Sequence, residues 1–349
     1  MQEQDRKAAA PATAPVRIGL ITGATGPLAA FGEADRLGGM MAAEEHHLNL
    51  VIEDDQGRPE QSANAAERLI TGAGVVAVVC CDTSGETLAA SPIAEREQVA
   101  MISGTASAPI VTKGKRNMFR VCATDDFEAR IAAKLARERL HAKRVAMLRD
   151  TKNDYSVGMA GVFTETFARE GGTVSGTFDY SEGDNDFRSQ LTAAAATKPE
   201  AIFLPGYYAD VAQIVSQARD LGITLPLFGG GGWDSPKMVE IAGKSAEGCW
   251  FVSGVRSASP QFVEKFRKRY GRDPDSANAQ VYDAVSIVAK AIAIGGNDRK
   301  KVRDAIAATR DYPGASGMIT IQPNGDVSKP LGVFRIIDGK YVQQGVIEP

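Results

Sequence analysis

Histidine and cysteine are scarce in this 349-residue chain, with three of the first and four of the second. Cys80, Cys81, Cys122 and Cys249 are too few for a disulfide framework and wrongly spaced for zinc, and most sit in apolar, strand-like surroundings that suit buried thiols. His46 and His47 are neighbours late in a helical pattern, so their side chains diverge by about 100° and make no metal pair; His141 stands alone. No apolar run approaches the ~20 residues that a membrane-spanning helix needs. The 40 Lys and Arg are scattered against 43 Asp and Glu, for a formal charge of −3, which excludes the basic face of a nucleic-acid binder. Nucleophile elbow, Walker A loop and H-E-x-x-H are all missing, and Gly229 to Gly232 lacks the Lys-Ser/Thr of a phosphate loop. The acids Asp54 and Asp55 face opposite ways along a strand and read as loop caps or lobe contacts rather than metal ligands. These absences argue against an enzyme, and no cofactor or metal is expected.

A hydrophobic content of 44% over this length is enough for two lobes, each with its own core. Met1 to Pro15 has neither the apolar core of a signal peptide nor helical periodicity and reads as a flexible leader. The rest is organised around Val75 to Thr112. Two short apolar runs there, Val75–Cys80 and Val99–Ile102, have the length and β-branched content of buried parallel strands. Each ends in small polar residues, Asp82-Thr83-Ser84-Gly85 and Ser103-Gly104-Thr105-Ala106-Ser107, at the carboxyl edge where open α/β sheets bind ligands. Ser84 reads as the N-cap of the next helix, placed to offer its hydroxyl and the first helical N–H groups to a carboxylate.

Strand and helix alternate along the whole chain, so the fold class is α/β with doubly wound parallel sheets. A first unit starts with the strand Val16–Ile21, and the polar stretch Thr124-Asp125-Asp126-Phe127 reads as a crossing to a second unit that runs to a strand at Gly248–Val255. The three helices that follow bring too few strands for a third domain and imply a return to the first. Pro323-Asn324-Gly325 carries a hairpin-like signal between Gly317–Ile321 and Leu331–Ile337, and Asp338-Gly339 turns into a last strand.

Six segments in order, TGATGPLAAFG (Thr22 to Gly32), Asp54-Asp55 to Pro59, Ser84 to Ser107, NDYSVG (Asn153 to Gly158), PGYYADVAQI (Pro205 to Ile214) and GGGGWDSP (Gly229 to Pro236), give the chain its family. It resembles the periplasmic solute-binding proteins of branched-chain amino acid ABC transporters, with the type I periplasmic-binding fold. The resemblance implies two lobes, 16–124 plus 256–329 and 125–255 plus 330–349, joined by a three-segment hinge near Asp125, Arg256 and Pro330. They would close over a small amino acid or related carboxylate or amide and deliver it to a membrane permease. Ser84 and Ser107 would hold the carboxylate, with Thr105 acting through its backbone. Tyr155, Tyr207 and Trp233 would close from the second lobe, while Phe31 and Tyr282 would wall the side-chain pocket; Tyr282, inside a helical stretch, reads more readily as packing. The expected setting is extracytoplasmic, a secreted native form having lost its signal peptide, and the carrier is most simply a monomer. A ligand-sensing domain of the same fold is the alternative.

Two departures bear on the ligand. Family members commonly pair the ligand ammonium with an acid at the position of Gly231, where this chain has four glycines. Asp234 would either reach inward or, as the better reading, cap the helix that starts at Ser235-Pro236. Asp82 stands where branched-chain binders are apolar, and burial requires it to meet water, a backbone donor or a cationic part of the ligand. Both point away from plain leucine, toward a polar or basic amino acid, a small amide, or a carboxylate without an α-ammonium.

Overall fold

The β-branched runs and the amphipathic segments between them build two sheets, each wrapped by helices. The computed structural model describes residues 16–254 and 259–349; the expected leader and the crossing near Arg256 lie outside them. In chain order the elements are β1 (Arg17–Thr22), α1 (Ala29–Glu45), β2 (Asn49–Asp54), α2 (Pro59–Glu67), β3 (Ala77–Val79), α3 (Ser84–Arg96), β4 (Ala100–Ser103) and β5 (Met118–Arg120). Then come α4 (Asp125–Lys134), β6 (Arg144–Asp150), α5 (Asp154–Arg169), β7 (Thr173–Tyr180), α6 (Arg188–Ala196), β8 (Ala201–Leu204), α7 (Tyr208–Asp220), β9 (Leu227–Gly229), α8 (Pro236–Ala242) and β10 (Trp250–Gly254). The chain ends with α9 (Pro260–Tyr270), α10 (Ser276–Gly295), α11 (Arg299–Ala307), β11 (Tyr312–Gly314), β12 (Gly317–Ile319), β13 (Leu331–Ile337) and β14 (Lys340–Ile347).

The first sheet runs β2-β1-β3-β4-β5, all parallel. The second runs β14-β13-β10-β9-β8-β6-β7, parallel except that β13 pairs antiparallel with both β10 and β14. Both are doubly wound, as the alternation implies. Strand order reverses between β1 and β3 in one sheet and between β6 and β8 in the other, and at such switch points the loops beyond the strand ends diverge and leave a crevice. Each sheet is buried on both faces by apolar clusters. Helices α10 and α11 pack on the first sheet beside α1, consistent with the short supply of strands after β10. No described helix is long and apolar enough to cross a membrane.

One local expectation fails. The strands flanking Pro323-Asn324-Gly325 do not pair with each other: β12 pairs with β11, and β13 joins the second sheet. The segment makes a tight turn closed by an Ile321–Val327 bridge, with Gly325 at φ +85°. The true hairpin lies at Asp338-Gly339, both at positive φ, between β13 and β14.

Candidate functional site

The carboxyl-edge loops of the two sheets face each other across one cavity. From the first sheet, the loops after β3 and β4 supply Asp82, Thr83, Ser84, Thr105 and Ser107, and α1 supplies Phe31. From the second come Tyr155, at the start of α5, Tyr207, just before α7, and Gly231, Gly232 and Asp234 after β9. The space is a small cavity of about 80 Å³. That is the scale of an amino acid.

On the first-sheet side the polar groups other than Asp82 are neutral, and the N–H and hydroxyl donors gather at Ser84, Ser107 and the start of α3. Thr83, not Ser84, is the N-cap of α3: it closes a capping box with Glu86, which leaves Ser84 in the first helical turn. The Ser84 and Gly85 N–H groups therefore precede any intrahelical acceptor and face outward with the positive helix end. The Ser84 hydroxyl oxygen accepts the Ala108 N–H at 3.1 Å, which fixes the oxygen and leaves its proton to donate. Ser107 sits on a loop clamped from behind by the fully buried Arg120, whose guanidinium donates to the carbonyls of Ala106 at 3.1 Å and Ala108 at 2.7 Å and pairs with Asp326 at 2.8 Å. Thr105 departs from its expected role, since its hydroxyl donates to the carbonyls of Cys81 and Asp82 and its N–H to Ser103 Oγ. It ties two loops together.

On the second-sheet side the polar groups are acidic, and the main one was not anticipated. Glu128, on α4, is buried at the cavity wall, where its Oε1 accepts the Gly231 N–H and, at 3.0 Å, the Tyr155 hydroxyl. A Cβ on Gly231 would lie 3.3 Å from Glu128 Oε2 and 3.6 Å from Ser253 Oγ, so Glu128 fills the place that a side chain at position 231 would take. Asp234 does not cap α8; Ser235 does. The Asp234 Oδ2 instead accepts the hydroxyls of Ser253 at 2.9 Å and Ser276 at 2.7 Å beside the same space. Among the described residues no Lys or Arg lines the cavity.

Aromatic rings close the walls. Tyr155 and Tyr207 stack at 5.4 Å, Phe31 meets Tyr207 edge-on at 5.9 Å, and Tyr208 bridges the two sides by accepting the Ala30 N–H and donating to the Pro27 carbonyl. Trp233 and Tyr282 are not at the cavity. Trp233 is fully buried beneath the β9 turn, its indole N–H held by the Leu204 carbonyl at 3.0 Å and its ring near Phe251. Tyr282 points the other way on α10, to Glu45 and Phe262, and Gln280 lines the cavity in its place.

Asp82 finds the backbone donor that its burial requires. The Gly23 N–H reaches it at 2.6 Å and the Thr22 hydroxyl at 2.8 Å, and it shares a hydrogen bond with buried Asp35. Asp55, Asp82 and Glu86 bring carboxylate oxygens within 4.8 Å of one another, while Asp54 serves the Thr25–Gln56 turn as a loop cap. Cys80 and Cys81 are joined by a disulfide; Cys122 and Cys249 are buried thiols.

Burial pushes the Asp82 carboxyl up to about 6, Asp125 to about 7 and Glu128 to about 8, the last helped by the charge on Asp125. Each is protonated more readily in the folded chain than in the unfolded one, so the associated stability is present below the ordinary carboxylate range and is lost as pH rises through the folded values. The ligand-free protein is therefore expected to lose on the order of a few kcal/mol of stability between pH ~4.5 and pH ~8. Thermal melts across that window test this, and a flat or rising profile contradicts the protonation described here.

A model of the family described as periplasmic binding protein matches residues 15–340. A leucine-binding protein of known structure from Thermotoga maritima is 37% identical, with a TM-score of 0.93 over 96% of this chain and 99% of its own. The branched-chain amino acid transporter substrate-binding protein LivJ of Streptococcus pneumoniae, solved with isoleucine, is 29% identical with a TM-score of 0.91 over 96% and 100%. The Leu/Ile/Val-binding protein BraC3 of Rhizobium johnstonii is 29% identical over 347 residues, 95% of this chain and 94% of its own.

Proposed function

Because the chain belongs to the periplasmic binding protein family, and is thus a ligand-binding protein of the ABC-transport type and not an enzyme, we propose that it captures a small amino acid outside the cytoplasm and hands it to a membrane permease. The observation that carries this reading is the polarity of the cavity: a group of neutral donors on the first-sheet side, at Ser84, Ser107 and the start of α3 and apart from Asp82, and carboxylates on the second-sheet side, at Glu128 and Asp234. A zwitterion of this size matches both ends at once. Its carboxylate lies against the Ser84 hydroxyl and the helix N-terminus, and its ammonium lies in the space in front of Gly231.

Capture proceeds by closure of lobe 16–124 plus 256–329 against lobe 125–255 plus 330–349, carried as a monomer in the extracytoplasmic space. Ligand binds first on the Ser84 and Ser107 side, and Tyr155, Tyr207 and Glu128 add contacts only when the lobes meet. Those extra contacts are what shift the population toward the closed shape that a permease recognises. Ser84→Ala is expected to weaken amino-acid binding by about 5- to 150-fold, ~1–3 kcal/mol, since it removes a donor to a charged group without altering the helix. Isothermal titration against a panel of amino acids tests both statements. Binding that is unchanged in Ser84→Ala removes the carboxylate assignment.

A further inference from the structure

Glu128 and Asp234 share one side of the cavity; Asp82 stands on the other, in the loop after β3, beside Phe31. A single ammonium in front of Gly231 answers the first two and leaves Asp82 to something else. Its carboxylate already accepts from Thr22, Gly23 and Asp35, and a carboxylate has about four acceptor sites, so one remains for a group inside the cavity. Neighbouring Asp55 and Glu86 bring only carboxyl oxygens within 4.8 Å, and no cation, to the same corner. Among the described residues no Lys or Arg lines the cavity to neutralise it. An aliphatic ligand side chain would expel water from that acceptor site and return nothing to it.

We infer that the cavity selects amino acids whose side chains carry a hydrogen-bond donor, whether hydroxyl, amide or amine, with Asp82 as the acceptor that discriminates against aliphatic side chains. This rests on the amino-acid reading above. Sites that hydrogen-bond a substrate group reject analogues lacking it far more strongly than apolar pockets reject one extra methylene, because the buried polar partner is left unpaired. A preference on the order of 100-fold for donor-bearing over aliphatic amino acids is expected. Gln280, Ser253 and Ser276, further polar residues of the wall, add no positive charge that would compete for Asp82.

The experiment is isothermal titration of the native chain, Asp82→Leu and Asp82→Asn with serine, threonine, asparagine, glutamine, ornithine and lysine against valine, leucine and isoleucine. The native chain is expected to bind at least one donor-bearing amino acid roughly 100-fold more tightly than any aliphatic one. Asp82→Leu is expected to reverse that order. Should Asp82→Leu fail to fold, the near-isosteric Asp82→Asn decides, with an expected loss of at least about tenfold for the preferred ligand. Leucine or isoleucine binding to the native chain as tightly as the best donor-bearing amino acid overturns the inference and leaves the amino-acid reading standing. An unchanged preference in the Asp82 variant that folds overturns it as well. If no amino acid binds the native chain, the amino-acid reading falls, and this inference with it.

Discussion

Glu128→Gln is expected to weaken amino-acid binding by roughly 30- to 1,000-fold, about 2–4 kcal/mol, with no loss of fold. Gln keeps the shape and can still accept from Gly231 and Tyr155, but it presents an amide NH2 where the carboxylate faced the ammonium. The ligand then buries an unpaired cation. Binding to the native chain also requires Glu128 to release the proton that it holds up to about pH 8, so affinity is expected to rise with pH by up to about tenfold per unit below that value and to lose this slope in Glu128→Gln. Combining Gly231→Asp with Glu128→Ala, which vacates that space, is expected to bind at least about tenfold more tightly than Glu128→Ala alone, since an acid from 231 then enters the place of Glu128 and Gly231 is not among the glycines at positive φ. Titration calorimetry at pH 6, 7 and 8 decides. Equal affinity for native and Glu128→Gln at pH 8 would assign the ammonium to another acceptor, with Asp234 the next to replace.

The sequence made the loops legible and left the helix faces obscure. Strands β3 and β4 lie inside or within one residue of the apolar runs that announce them, and the small polar residues after them line the cavity because parallel strands all point their carboxyl ends one way. Tyr155 and Tyr207 were readable for the same reason, since each follows a strand by a few residues. Gln280 was not, because on a helix residues 280 and 282 lie about 200° apart and only the packing of α10 on α1 decides that Gln280 faces inward while Tyr282 takes the packing place that its helical setting suggests. Trp233 next to Asp234 shows the same limit in a single turn: one side chain faces the core and the other the cavity. Glu128 was hidden among Asp125, Asp126 and other residues of an acidic first turn, a composition that reads as charge placed to suit a helix dipole. Only the orientation of α4 relative to the β9 loop shows that its carboxylate replaces a side chain at Gly231.

The glycines of the first motif make a different kind of demand, which is best seen at Gly32. A Cβ there would stand 2.0 Å from the Gly23 carbonyl oxygen and 2.9 Å from the Ala24 nitrogen, and because those are backbone atoms nothing can swing aside. Helix α1 would have to lift off the loop after β1. That loop supplies the Gly23 N–H to Asp82, and the Thr22 hydroxyl bonds both Asp82 and, at 3.1 Å, the Gly32 carbonyl, so the same shift loosens the Asp82 wall and moves Phe31. Gly32→Ala is therefore expected to cost at least about 3 kcal/mol and to lower the melting temperature by at least about 4 °C, with a parallel loss of amino-acid binding. Gly161→Ala is the matched comparison: it lies within α5 with nothing within 4 Å of the added carbon, and the same substitution there is expected to be neutral or to add up to about 1 kcal/mol through helix propensity. Thermal melts of the two variants side by side separate close approach from composition. Equal melting temperatures would mean that the contact between α1 and the β1 loop yields at little cost, and that the motif's spacing is not what holds Asp82 in the wall.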